Sequence, residues 1–84
     1  MTMKSKIREV LSKHGRLPVD IATLSDADDL HAAGLTSFAS VELMMALEEA
    51  FDIEYPNQMM NRRHFSSVTA IENALMKIRQ DMAA

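Results

Sequence analysis

The chain has 84 residues, of which 48% are hydrophobic and 25% charged, with a formal net charge of −3 and no cysteine. This length fits a single domain over residues 1–84, whose core is too small to enclose a substrate pocket and its catalytic residues easily, so we do not expect an enzyme. Without cysteine the fold has no disulfide, and the polypeptide supplies no thiol for chemistry or for soft metals.

Charge is unevenly distributed along the chain. Residues 1–16 hold five Lys or Arg and one Glu, whereas residues 17–61 hold nine acids and no Lys or Arg. An acidic middle repels nucleic acid and attracts basic patches on partner proteins. A solvated acidic surface that serves only solubility is the alternative interpretation.

Hydrophobic spacing predicts a first helix over residues 2–14, which Gly15 and Pro18 end. The residues that share its apolar face are Met3, Ile7, Val10 and Leu11. This segment has no apolar run of signal-peptide or membrane-span length, so we expect a cytoplasmic protein that does not associate with membranes.

Residues 15–36 have no clear period and predict a long first loop. Apolar side chains spaced along this loop can hold it against the helices, and they are Leu17, Val19, Ile21, Leu24, Leu30 and Leu35.

A second helix is predicted over residues 37–51, a stretch of good helix formers without a breaker. The stripe expected to face the core consists of Leu43, Leu47, Ala50 and Phe51. A second apolar row consists of Phe38, Val41 and Met45, and the acids beside it are Glu42, Glu48 and Glu49. Because a small bundle has no second core, we expect this row to be a docking surface for other proteins. Alternatively, a neighbouring loop covers Val41 and Met45.

The last part of the chain predicts two more helices. A short third helix is expected within residues 55–65, with Met59 or Met60 facing inward and Arg62 and Arg63 facing outward. Ser66 or Ser67 can cap a final helix, whose apolar face consists of Val68, Ile71, Leu75 and Ile78. The expected fold class is therefore all-α, a four-helix bundle.

Ser37 stands at the start of the second helix. Unpaired amides and the helix dipole favour a negative group there, so a phosphodiester on this hydroxyl would be stabilised. A plain N-cap is the competing interpretation. A hydrolase nucleophile is disfavoured because no Gly-X-Ser-X-Gly elbow surrounds Ser37. His14, His31 and His64 are dispersed, so we expect no catalytic site and no metal site.

The run Gly34-Leu35-Thr36-Ser37-Phe38-Ala39-Ser40-Val41-Glu42-Leu43 resembles the modification site of acyl and peptidyl carrier proteins, and the likeness extends over about residues 7–78. The resemblance implies a four-helix bundle of acyl-carrier-protein type with a long first loop and a short third helix. It also implies a phosphoprotein in which Ser37 bears 4′-phosphopantetheine, whose thiol holds cargo as a thioester. A phosphopantetheinyl transferase would attach this arm. The residues implied in partner binding are Thr36, Phe38, Val41, Glu42, Met45, Glu48, Glu49, Arg62 and Arg63.

The chain departs from the usual family motif at two places. The family has Asp-Ser-Leu where this chain has Thr36-Ser37-Phe38. In the family that aspartate assists the transferase, partly through its metal, so its replacement implies a dedicated or tolerant transferase. Asn61-Arg62-Arg63 is basic where fatty-acid carriers are usually acidic, which suggests a specialised partner.

With these features the chain looks most like the small aminoacyl carrier proteins. Amino acid:carrier protein ligases that resemble seryl-tRNA synthetases load such carriers, and a downstream acceptor enzyme unloads them. Two alternatives stay open: an acyl carrier for fatty-acid or polyketide cargo, loaded by an acyl-activating enzyme, and an unmodified helical adaptor. A monomer is expected in each case.

Overall fold

A computed structural model describes residues 2–83 of the chain. The three α-helices of this range are α1 (Met3–His14), α2 (Ser37–Phe51) and α3 (Val68–Ala83). Short 3-10 turns lie between them at Ile21–Thr23, Asn57–Met59 and Arg62–Phe65, and the described range contains no strand. The predicted all-α class and the predicted positions of the first, second and last helices are confirmed.

The prediction of a third helix within residues 55–65 is wrong in the type of structure. Its place is taken by the two 3-10 turns Asn57–Met59 and Arg62–Phe65, because Asn61 between them is extended, with φ −133° and ψ 162°. Neither turn has a side-chain cap at its N-terminus, and 3-10 geometry is used for pieces of this length. The described fold thus has three α-helices instead of four.

Burial in the turn segment agrees with the rest of the prediction. Met59 and Phe65 are buried in the core and anchor one turn each, whereas Met60 is 44% exposed. Arg62 and Arg63 are exposed, as expected.

One hydrophobic cluster joins all three helices. Its completely enclosed helical side chains are Ile7 and Leu11 of α1, Leu43 and Leu47 of α2, and Val68, Ile71 and Leu75 of α3. The predicted apolar faces are confirmed except at their edges, where Met3 and Ala50 are only partly buried. Ser67 caps α3 by accepting a hydrogen bond from the Ala70 amide at 3.0 Å.

The long first loop is held against the bundle by backbone hydrogen bonds as well as by its apolar residues. The Leu30 amide donates to Ser66 O at 2.8 Å, and the Thr69 amide donates to Asp26 O at 3.0 Å. Arg8 of α1 donates to the Asp26 carboxylate at 2.6 Å, and this contact lowers the pKa of Asp26. Leu30 and Leu35 are buried as predicted, but Val19 is 42% exposed because it lies outside these contacts.

Gly34 determines how the loop enters α2. Its φ is +121°, a conformation that residues with a side chain rarely adopt. A Cβ at this position would lie 2.6 Å from Pro18 Cδ, so any other residue here would force the loop or Pro18 to shift.

Candidate functional site

Thr36, not Ser37, caps the N-terminus of α2. Its backbone is extended, and its Oγ1 accepts a hydrogen bond from the Ala39 amide at 3.0 Å. Ser37 is therefore the first residue of the helix proper. The interpretation of Ser37 as the cap is wrong, because the residue before it does this work with the same kind of hydroxyl.

The Ser37 hydroxyl is exposed, and within residues 2–83 it takes part in no hydrogen bond. The amides of Ser37 and Phe38 precede the first intrahelical hydrogen bond, which the Ser40 amide donates to Thr36 O at 2.9 Å. The first turn of α2 contains no acidic residue. An oxygen at this position is thus available for modification, and a negative group on it would face unpaired amides and the positive end of the helix dipole.

The second apolar row of α2 is exposed. Phe38 is 68% exposed, and Val41 and Met45 are each 53% exposed. No loop of the described chain covers Val41 and Met45, so that alternative is wrong. The row starts beside Ser37 and continues for two turns along the helix.

The acids beside this row have different surroundings. Glu49 is exposed, whereas Glu48 bends toward the end of α2 and accepts a hydrogen bond from the Tyr55 amide at 2.9 Å. The backbone carbonyl of Glu48 also accepts from the amides of Asp52 and Ile53. Glu48 therefore has an internal contact that the sequence did not indicate.

Arg16 joins the site from the first loop, and sequence analysis missed it. Its Nη2 lies 3.3 Å from the Glu42 Oε2, and its guanidinium carbon lies 5.9 Å from the centroid of the Phe38 ring. The available signal was its place as the last cation before the acidic stretch, but spacing alone could not pair it with α2.

A surface groove of about 300 Å³ opens beside Ser37, between α2 and the turn segment. Its apolar lining includes Val41, Met44, Met60 and Phe65, and Arg62 stands at its edge. Arg63 is exposed on the same turn but does not line the groove.

His31 connects the loop before α2 to the turn segment. Its Nδ1 lies 3.3 Å from Leu35 O, and its Nε2 lies 3.2 Å from Arg62 O. His64 is half-buried, and burial lowers its pKa, with Arg63 adding to the effect. Within residues 2–83 no group of three His, Cys, Asp or Glu side chains could hold a metal ion. Nor is any helix in that range long and apolar enough to cross a membrane.

Comparison with known proteins identifies the class. Residues 5–75 match the family model for the phosphopantetheine attachment site. The chain therefore belongs to the phosphopantetheine-binding carrier family, and its prosthetic group is 4′-phosphopantetheine. Carrier proteins of this kind are non-catalytic.

The chain is similar to the aminoacyl carrier protein of Agrobacterium fabrum, with 53% identity over 76 residues that cover 90% of this chain and 92% of the relative. Two solved relatives are carrier proteins from Agrobacterium tumefaciens in complexes with an engineered Bradyrhizobium japonicum glycine:[carrier protein] ligase. With ATP bound, the TM-score is 0.90 at 52% identity, over 92% of this chain and all of that one. With AMP bound, the TM-score is 0.86 at 53% identity, over 88% of this chain and 99% of that one. The predicted resemblance to the aminoacyl carriers is thus confirmed.

The residues present fit the prosthetic group. Ser37 offers an exposed hydroxyl that has no competing hydrogen bond in the described part of the chain, and the first turn of α2 offers amides without a competing carboxylate. When bound, the group supplies the thiol that a chain without cysteine lacks.

Proposed function

We propose that this chain is an aminoacyl carrier protein in which Ser37 bears the phosphopantetheine arm and the arm holds an amino acid as a thioester. The observation that carries the proposal is the exposed Ser37 hydroxyl at the first position of α2, which makes no hydrogen bond within residues 2–83. The 53% identity to an aminoacyl carrier supports the choice of cargo.

In this proposal Thr36 caps α2 and so positions Ser37 for modification. By capping α2 it keeps the helix start ordered and leaves the serine hydroxyl unused. It lacks the carboxylate of the usual family motif, so we propose a transferase that does not depend on that carboxylate. Because the arm comes from coenzyme A and the ligase bound to the similar carrier is complexed with ATP, we propose that this function is carried out in the cytoplasm.

Partner enzymes would dock on the exposed row of α2. Phe38, Val41 and Met45 supply apolar contact, and Glu42 and Glu49 supply charge that attracts a basic surface. Arg62 and Arg63 would add a basic edge across the groove from this row. The proposed partners are the transferase, an amino acid:carrier protein ligase such as those bound to the Agrobacterium carriers, and a downstream acceptor enzyme.

The cargo would remain outside the bundle. An amino acid thioester carries an ammonium group, whose transfer from water into an apolar core is costly without a partner charge. The described core is lined by hydrophobic side chains and contains no buried charged residue. The apolar groove beside Ser37 favours a second candidate, a fatty or polyketide acyl cargo that would lie along Val41 and Met44.

Intact mass measurement tests the attachment. The wild type, Ser37→Ala and the matched control Ser40→Ala are incubated with coenzyme A and a broad-specificity phosphopantetheinyl transferase. We expect one added phosphopantetheine on the wild type and on Ser40→Ala and none on Ser37→Ala. Modification of Ser37→Ala, or none on the wild type with any transferase tried, would contradict the proposal and favour the unmodified adaptor.

Loading then separates the two cargo classes. The modified carrier is incubated with ATP and either glycine with the glycine:[carrier protein] ligase or a fatty acid with an acyl-activating enzyme. We expect a hydroxylamine-sensitive mass increase with the amino acid. An increase with the fatty acid alone would support the acyl carrier instead.

A further inference from the structure

The contact between Arg16 and Glu42 lies inside the surface proposed for docking. The two side chains are 3.3 Å apart, with 66% of the Arg16 side chain and 27% of the Glu42 side chain exposed. The same guanidinium stands 5.9 Å from the Phe38 ring centroid, near the outer limit for a cation–π contact. In the free chain, therefore, Arg16 already forms an ion pair with Glu42, one of the acids of the proposed docking surface.

The backbone at Arg16 makes this residue unusual. Gly15 ends α1, and Arg16 follows it with φ +53°, in the left-handed region. Helices commonly end on a left-handed residue at this position, and glycine is the usual choice because it avoids the steric cost of a Cβ. A long cation therefore stands where local stability favours glycine, which points to a role for its side chain.

We propose that the Arg16–Glu42 pair competes with partner enzymes for Glu42. A partner that recognises Glu42 through a Lys or Arg must first displace Arg16, so Arg16 weakens the docking of such partners and makes their release easier. This inference rests on the proposed function, because it assumes that partners dock on α2. It deepens that function by giving the chemistry of the partner contact, a basic side chain directed at Glu42.

The expected effect is modest and has a defined sign. Exposed ion pairs of this kind contribute little, so removing the Arg16 charge should strengthen partner binding roughly two- to fivefold. The gain should shrink at high salt, because salt screens exposed pairs. A residue that itself contacts the partner would give the opposite sign.

The test measures the dissociation constant between the carrier and the B. japonicum glycine:[carrier protein] ligase by surface plasmon resonance. All carriers also bear Ser37→Ala, so that docking is measured without the arm. The variants are Arg16→Gln, Arg16→Gly, Glu42→Gln and Arg16→Gln with Glu42→Gln. Lys13→Gln is the matched control, since it removes one positive charge whose partner is Glu9 at 3.3 Å.

We expect Arg16→Gln and Arg16→Gly to bind about two- to fivefold more tightly than Lys13→Gln. The Gly variant guards against misfolding, because it suits the left-handed backbone. On the Glu42→Gln background, Arg16→Gln should have no further effect, which a merely structural role of Arg16 would not produce. Equal or weaker binding by both Arg16 variants, or a gain that persists without Glu42, would overturn the inference. Failure of every variant to bind would instead count against docking on α2, and with it against the proposed function.

Discussion

The two apolar rows of α2 differ in what covers them, although the sequence makes both hydrophobic. Leu43 and Leu47 are completely buried, whereas Phe38, Val41 and Met45 are each more than half exposed. The difference arises because α1 and the turn Arg62–Phe65 pack against α2 and leave the second row uncovered, and a chain of this size has no further layer to cover it. A hydrophobic row on a helix thus indicates a contact surface. Whether the same chain or another protein makes that contact depends on how many elements the chain has to pack against the helix.

The two ends of α2 differ in a similar way. At the C-terminus, Asp52 is left-handed with φ +54°, and the Glu48 carbonyl and carboxylate accept hydrogen bonds from the following residues. At the N-terminus, Thr36 caps one amide and leaves those of Ser37 and Phe38 outside the helical ladder. The hydrogen-bonded C-terminus of α2 contributes to stability, and the N-terminus with its unpaired amides is where we propose attachment of the arm.

The largest expected effect comes from breaking the buried row. Leu47→Ala should lower the free energy of unfolding by about 2–5 kcal/mol, because it removes buried methyl groups and leaves a cavity. Met45→Ala on the exposed row should change it by less than about 0.5 kcal/mol. Urea denaturation monitored by circular dichroism measures both. Similar losses for the two variants would mean that the exposed row is covered in solution.

A second loss of stability is expected at the turn that leads into the exposed row. Gly34→Ala should destabilise the fold by roughly 1–3 kcal/mol, since it combines a positive φ with a Cβ placed against Pro18. Urea denaturation again measures the change. The matched control is Ala33→Gly, which relaxes the neighbouring backbone without adding an atom. An unchanged midpoint for Gly34→Ala would show that the loop can take another path past Pro18.

Much of this architecture could be predicted from the sequence because local signals agree with tertiary packing in the three long helices. Apolar spacing, a capping hydroxyl and terminal breakers place α1, α2 and α3 correctly. The segment from Asn57 to Phe65 could not be predicted as well, because its shape depends on how Met59 and Phe65 reach the core and on the extended Asn61.

The site was predictable to the extent that it depends on neighbours along the chain. Ser37 and the exposed row follow from one continuous stretch of sequence. The contacts of Arg16 and Glu48 could be found only in the structure. Arg16 meets Glu42 because two distant segments fold together, and Glu48 meets the Tyr55 amide because of the way the chain leaves α2. The competing interpretation, a cap at Ser37, was open from the sequence because Thr36 and Ser37 are adjacent and both residue types can cap.

A change on the exposed row should affect binding and leave stability unchanged. Phe38→Ser should weaken binding to the ligase at least about tenfold, because large aromatic side chains often dominate interfaces. Met76→Ser is the matched control, since Met76 is 55% exposed on α3, outside the proposed docking surface. Surface plasmon resonance measures binding, and thermal denaturation checks the fold. Equal binding by both variants would place the docking surface elsewhere.

The smallest expected effect lies on the buried side, at Tyr55. This side chain is 2% exposed and packs against Phe65, with ring centroids 5.3 Å apart and the ring planes tilted by 42°. Within the described chain its hydroxyl has no hydrogen-bond partner, and burial raises the pKa of Tyr55, with Glu48 adding to the shift. An unpaired buried hydroxyl is costly, so Tyr55→Phe should be neutral or stabilise the fold by up to about 1 kcal/mol. Urea denaturation decides the sign. A clear loss of stability would mean that the Tyr55 hydroxyl has a hydrogen-bond partner in solution. The buried side of α2 would then differ from the exposed row by a specific polar contact as well as by its burial.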